Sequence, residues 1–273
     1  LKMRFLRKKV AVIISCIMII TLCGAFPQKV KAEENITLLL NCACCFAKCE
    51  DKDMNKKAIA IDGPSGAGKS TIAKLIAKKK NYIYVDTGAM YRAMALFFLE
   101  SGVAPDEQDK IAEACKDVDV TISYENGEQI VWLNGRNVNG LIRTEEVGKM
   151  ASASSANKDV REKLVELQRA LAEKESVVMD GRDIGTVVLP NANVKVYLTA
   201  SSRVRAVRRY EELKAKGEQC DLEVIEKDII ERDYRDMNRD ISPLKQAEDA
   251  VLLDSSDMTI EEVADAVIEM CSE

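Results

Sequence analysis

Residues 58–71 read AIAIDGPSGAGKST, and no other stretch limits the possible folds so tightly. Residues 58–61 are a short apolar run with β-branched members, the pattern of a buried strand. Gly63 to Ser70 then spell G-x-x-x-x-G-K-S, and residues 71–79 continue with helical spacing. Strand, glycine-rich turn and helix in that order make a phosphate-binding loop. A solvated glycine loop would share the glycines but not the flanking elements. Gly63, Gly66 and Gly68 let the backbone curl with its N–H groups inward, and the helix N-terminus adds partial positive charge. Lys69 can reach the β- and γ-phosphates, and the Ser70 hydroxyl can ligate Mg²⁺. Gly63, Pro64, Ser65, Gly66, Ala67, Gly68, Lys69, Ser70 and Thr71 are therefore the candidate ATP-binding residues, with Lys69 also catalytic.

Composition narrows what the loop can serve. A chain of 273 residues with 47% hydrophobic content can bury a core as one large domain or two small ones. Its net charge of −5 is uneven: residues 1–53 hold nine Lys and Arg against five Asp and Glu, which leaves −9 for the rest. An acidic body argues against broad nucleic-acid binding and suits a small ligand in a local basic pocket. Histidine is absent, which excludes imidazole bases and ligands but not phosphoryl transfer, where positioning and charge stabilisation dominate. Six of the nine cysteines precede Met54. Cys115, Cys220 and Cys271 are scattered as reduced thiols would be, and the cluster at 42–49 matches no zinc spacing.

Along the chain, basic residues 2–9, apolar residues 10–26 and the small-residue stretch Val30-Lys31-Ala32 have the layout of a secretory signal. Export would separate a nucleotide kinase from its ATP. Met54, followed directly by the first strand, looks like a natural start. Residues 1–53 are thus expected to lie outside the fold, as an upstream extension or mis-assigned start, with the kinase cytoplasmic. The alternative is a membrane tether at 10–26 with the kinase on the cytoplasmic side.

Residues 82–85 read as a second strand, with Thr87 as N-cap of the next helix. Residues 117–133 alternate around Glu125-Asn126-Gly127 as a hairpin, part of a small separate sheet. Residues 144–169 read as helices with Ser152 and Arg161 facing away from a Leu/Val face. Further strands are expected at 177–179, 194–199 and 251–253, with helices after Ser201 or Ser202 to Gly217, at 223–236 and at the C-terminus. Apolar strands alternating with helices make a parallel α/β sheet.

Arginine distribution points to the phosphate acceptor. Eight arginines lie between Arg182 and Arg239, and Arg205, Arg208 and Arg209 share one helix face. Guanidinium forks suit phosphate and keep their charge. Most surface arginines simply balance acidic neighbours. Arg182 differs, because it follows a buried strand in an Asp-Gly-Arg-Asp turn, at the carboxyl edge where open α/β sheets bind ligands.

Several stretches resemble bacterial cytidylate kinase: Gly63 to Thr71, the DTGAMYR run at 86–92, IRTEEV at 142–147, DGRDIGTVV at 180–188 and ERDYRD at 231–236. The resemblance spans Lys57 to Ile268, in family order, and leaves the first 53 residues without a counterpart. It implies a P-loop NTPase-type sheet (57–92, 177–204 and 240–273), an inserted monophosphate-binding part with a small antiparallel sheet (93–176) and a short lid (205–236). It implies transfer of the ATP γ-phosphate to CMP or dCMP with Mg²⁺; a monomer is expected. By position, Arg92, Arg182 and Arg232 would hold the acceptor phosphate. Ser152, Arg161 and Asp183 would read the base, and Asp236 and Arg239 would face the ribose, with Thr87 and Tyr91 also in the CMP site. Arg205 and Arg208 would close over the transferring group, joining Lys69 and Arg182 as catalytic residues. The family often has Gly or Ser after the loop lysine; Ser70 is the hydroxyl form.

Base choice has a physical rationale. Cytosine presents an exocyclic amine donor where uracil presents a carbonyl oxygen, so an aspartate accepts from one and faces lone pairs on the other. Rival readings are an adenylate, shikimate or gluconate kinase on the same fold, a nucleotide-dependent switch, and a secreted or membrane interaction protein. A switch would carry Asn-Lys-x-Asp for guanine and Asp-x-x-Gly for the γ-phosphate, and neither spacing occurs in this sequence. The interaction protein would leave the loop and the arginines unexplained.

Overall fold

The computed structural model describes residues 56–125 and 127–271. The signal-like run at 10–26, the cysteine cluster at 42–49 and the turn residue Asn126 lie outside the described residues. Five parallel strands form the main sheet: β1 (Ala58–Asp62), β2 (Ile83–Asp86), β6 (Val177–Gly181), β7 (Val194–Thr199) and β8 (Val251–Asp254), in the order β2-β6-β1-β7-β8. Side chains alternate across a strand, and β1 uses this to join two cores. Ala60 packs with Val85, Val177 and Met179 on one face, while Ile59 and Ile61 pack with Val178, Val196 and Leu198 on the other.

Helix α1 (Lys69–Lys80) buries Ile72, Ala73, Ile76 and Ala77 against the second face, beside the C-terminal helix α8 (Ile260–Met270). Helix α2 (Thr87–Glu100) covers the first face with Met90, Met94 and Phe98. Between α2 and β6 lie α3 (Gln108–Ala114), the antiparallel strands β3 (Val120–Glu125), β4 (Glu128–Leu133) and β5 (Arg136–Asn137), α4 (Glu145–Ser154) and α5 (Lys158–Lys174). Gln129 ties this insert to the open edge of β2: its amide oxygen accepts from the Asp86 N–H at 2.8 Å and its amide nitrogen donates to the Asp86 carbonyl at 3.2 Å. Helices α6 (Ser202–Ala215) and α7 (Leu222–Asn238) follow β7 and pack on each other.

Register aligns the functional ends of the strands. Ile61 pairs with Asp180, Asp62 with Gly181 and Asp86 with Asp180, so three aspartates end neighbouring strands at the carboxyl edge, where ligands of open sheets bind. The structure corrects several local readings. Asp86, not Thr87, caps α2: its carboxylate accepts the Ala89 N–H at 2.8 Å, while the Thr87 hydroxyl donates to the Asp180 carbonyl at 2.6 Å. A carboxylate one residue earlier wins the cap because it can also hold charge there. The second strand runs one residue later than expected, Ser201 is the cap of α6, and α6 stops at Ala215. Arg161 does not face away from the apolar side of its helix: it is buried to 3% exposure on the same face as Leu164 and Val165, because residues three and four apart stack on a helix. The short α3 and β5 carried no readable signal. No helix among the described residues is long and apolar enough to cross a membrane.

Candidate active site

The phosphate loop is fixed by close approach. Gly63 lies so near β7 that a Cβ there would meet the Leu198 carbonyl oxygen at 1.9 Å, an impossible contact. Gly68 caps α1 at φ 85°, the left-handed region that favours glycine. Lys69 folds its amine back onto the Pro64 carbonyl at 2.6 Å. Burial drives that amine well below its ordinary pKa, and the Arg182 charge pushes the same way against Asp180 and Asp62. Ser70 donates its hydroxyl to Asp180 Oδ2 at 2.8 Å, and Tyr84 donates to the other oxygen at 2.9 Å. Burial raises the Asp180 carboxyl, with Asp86 adding to it and Lys69 opposing. Hydroxyl and carboxylate oxygens side by side at the loop are the donor set that a hard divalent cation takes.

One cavity of about 810 Å³ runs from this loop to the insert. It is lined by every residue expected in the site except Gly63 and Pro64, which support the loop from behind. The turn after β6 presents Arg182 and Asp183. Its backbone is clamped by Asp62, whose two carboxylate oxygens accept the N–H groups of Ile184 at 2.8 Å and Gly185 at 2.7 Å. Arg182 donates to Asp236 at 2.9 Å; Arg161 donates to Asp183, with its guanidinium 5.5 Å from the centre of the Tyr91 ring; Arg239 stands 3.9 Å from Asp183. Burial pushes the Tyr91 hydroxyl up to about 12.

These guanidiniums are crowded and incompletely paired. Burial, then repulsion from Arg182, lowers Arg232 to about 10. Burial also lowers Arg92 and Arg239, with neighbouring arginines adding to it. Burial alone would raise Asp236, but Arg182, with help from Arg232 and Arg239, holds the carboxyl below its usual range. Arg232 Nε, Arg239 Nη2 and Arg161 Nε are buried without hydrogen-bond partners among the described residues. Buried donors left unmet are costly, so acceptor groups of a ligand in this cavity would be stabilising. Ser152 also lines the cavity, on α4.

Arg205 and Arg208 line the cavity, and their guanidiniums also brace backbone carbonyls around it. Arg205 donates to the Ala200 carbonyl at 2.9 Å, the Ser65 carbonyl at 2.7 Å and Asp233 at 2.6 Å; Arg208 donates to the Ser255 carbonyl at 2.6 Å. Among the lining residues given no part in the site by the sequence reading are Asp180, Asp86 and Arg143. Asp180 was recognisable at the acidic end of an apolar strand. Asp86 and Arg143 form an ion pair at 2.5 Å that their sequence separation hides, although both lie in stretches that carry the family resemblance. No group of three or more His, Cys, Asp or Glu able to hold a metal is found among the described residues.

A phosphate loop facing a bank of arginines across one cleft, on a parallel five-stranded sheet, defines a P-loop kinase for a small anionic acceptor. The cytidylate kinase family model matches residues 59–273, and the chain belongs to the cytidylate kinase family. A cytidylate kinase of Caldicellulosiruptor saccharolyticus is 50% identical over 217 residues, covering 80% of this chain and 96% of its own. One from Bacillus subtilis (strain 168) is 48% identical over 217 residues, covering 79% and 97%. Among solved structures, a shikimate kinase from Bacteroides thetaiotaomicron aligns at 14% identity over 80% of this chain and 99% of its own, with a TM-score of 0.41.

Proposed function

We propose that this cleft transfers the γ-phosphate of ATP to CMP or dCMP, giving CDP or dCDP and ADP, in pyrimidine nucleotide metabolism. Membership of the family carries the activity. The observation that carries the assignment to this cleft is the set of buried, unpartnered guanidinium nitrogens on Arg161, Arg232 and Arg239, gathered in the cavity that also holds Lys69. In this reading the loop N–H groups and Lys69 cradle the triphosphate. Arg92, Arg182 and Arg232 hold the acceptor phosphate, with Thr87 and Tyr91 beside them. Ser152, Arg161 and Asp183 read the base, and Asp236 and Arg239 face the ribose. Ser70 and Asp180 would hold Mg²⁺, which when bound neutralises charge on the phosphate oxygens.

The chemistry then needs no covalent intermediate. Lys69, Arg182, Arg205 and Arg208 spread positive charge around the transferring group while the two substrates lie in line. Closure of the region 205–236 would exclude water and suppress wasteful ATP hydrolysis. We further propose a cytoplasmic monomer that does not bind nucleic acid, tethered to a membrane only if residues 10–26 are retained. The test supplies ATP, Mg²⁺ and CMP and follows CDP, with adenylate, shikimate and gluconate as competing acceptors. CDP should dominate, and Lys69→Ala should lower turnover by about 100-fold or more with unchanged circular dichroism. Full activity in that variant would remove the loop from the mechanism.

A further inference from the structure

Ser65 is the one loop residue whose backbone is held from both sides by helices that follow β7. Its N–H donates to Asp233 Oδ1 at 3.0 Å, and its carbonyl accepts from Arg205 Nη1 at 2.7 Å. The same Nη1 donates to Asp233 Oδ2 at 2.6 Å, which closes a ring of hydrogen bonds around Ser65. Arg205 Nε is fixed in turn to the Ala200 carbonyl just beyond β7, and Asp233 and Arg205 are buried to 7% and 6% exposure. Asp233 lies on α7 and Arg205 on α6, so both helices report to the loop through one peptide unit.

By charge alone this is a poor place for a carboxylate. Asp233 stands against a loop whose N–H groups serve to bind polyphosphate, and a nearby negative charge should weaken that binding. A buried ion pair also seldom adds net stability over apolar packing, whereas it does fix geometry. We infer that Asp233 is a positioning residue for the triphosphate: with Arg205 it sets the conformation of the first half of the phosphate loop and couples it to the α6–α7 pair. This rests on the reading of the loop as the ATP site.

The two accounts of Asp233 predict opposite signs. If its charge were the main effect, Asp233→Asn and Asp233→Ala would tighten ATP. If it positions the loop, both weaken ATP and leave CMP alone. Titration of a non-hydrolysable ATP analogue with Mg²⁺ against the full chain should show Kd raised about tenfold in Asp233→Ala. Asp233→Asn should show a smaller rise, because its amide oxygen still accepts from Ser65. The CMP Kd should stay within about twofold in both. Binding is measured below each variant's melting temperature, and circular dichroism confirms the fold. Unchanged or tighter analogue binding in both variants overturns the inference. So does parallel weakening of analogue and CMP, which marks a merely structural role. Because the readout is binding, a wild-type chain that binds the analogue yet makes no CDP would count against the proposed reaction and leave the role of Asp233 standing.

Discussion

Asp183 has 4% of its surface exposed, accepts a hydrogen bond from Arg161, and has Arg239 within 3.9 Å. A hydrogen-bond acceptor fixed in a buried site favours the cytosine amine over the uracil carbonyl. Asp183→Ala should therefore reduce the CMP-over-UMP ratio of kcat/KM by about 100-fold. Steady-state kinetics with both acceptors checks it, and the ratio matters more than the rate, since Arg161 loses its partner too. An unchanged ratio would assign base choice elsewhere. The residues alone marked the Asp-Gly-Arg-Asp turn after an apolar strand; the parts given to Asp183 and Arg161 came from the family resemblance. Helical periodicity tells which residues share a face, and it puts Arg161 with Leu164 and Val165, three and four residues on, not opposite them. It cannot tell that an arginine on that face meets a buried carboxylate from a turn 22 residues away.

At the scale of elements, the site depends on how the turn after β6 is hung from β1. Asp62 ends β1 and holds the N–H groups of Ile184 and Gly185, so the phosphate loop and the turn carrying Arg182 and Asp183 share one anchor. Burial raises the Asp62 carboxyl to about 6, with the two backbone N–H groups opposing, Asp183 adding to the rise and Lys69 countering it. Since the folded value lies above the unfolded one, the native state binds the extra proton between them. The group's contribution to stability is full below about pH 4 and is lost as pH rises through about 6, a swing of about 3 kcal/mol. Asp62→Asn cannot titrate, so its urea-unfolding free energy should rise less steeply on acidification from pH 6 to 4 than that of the wild type. Identical slopes would mean that Asp62 ionises normally. The inner strands of the main sheet were readable because parallel strands buried on both faces are unbroken apolar runs; the edge strand β8 is largely exposed yet keeps an apolar run. The two-residue β5 and seven-residue α3 are too short to establish a period. Gln129 shows a further limit: a polar side chain on a strand gives no sign that it will complete the hydrogen bonding of another sheet's edge.

At the scale of the whole molecule, the described elements run from β1 to α8. Among the described residues both hydrophobic cores draw their buried members from Ile59 onward, and the family match covers residues 59–273. Residues 55–273 also group as one unit by their internal contacts. The central strand β1 takes hydrogen bonds on both edges from later strands. If that extension lies outside the fold, removing it should change neither the cores nor the cleft. A chain beginning at Met54 should then convert CMP to CDP with kcat and both KM values within about twofold of the full-length chain, a difference below about 0.4 kcal/mol. Its thermal midpoint should fall no more than about 2 °C, because such a shift corresponds to less than about 1 kcal/mol in a domain of this size. Coupled ADP release and a thermal melt on the two proteins measure both quantities. A large loss of stability would place part of residues 1–53 in the folded body. A loss of activity with the melt unchanged would give the extension a part in the cleft.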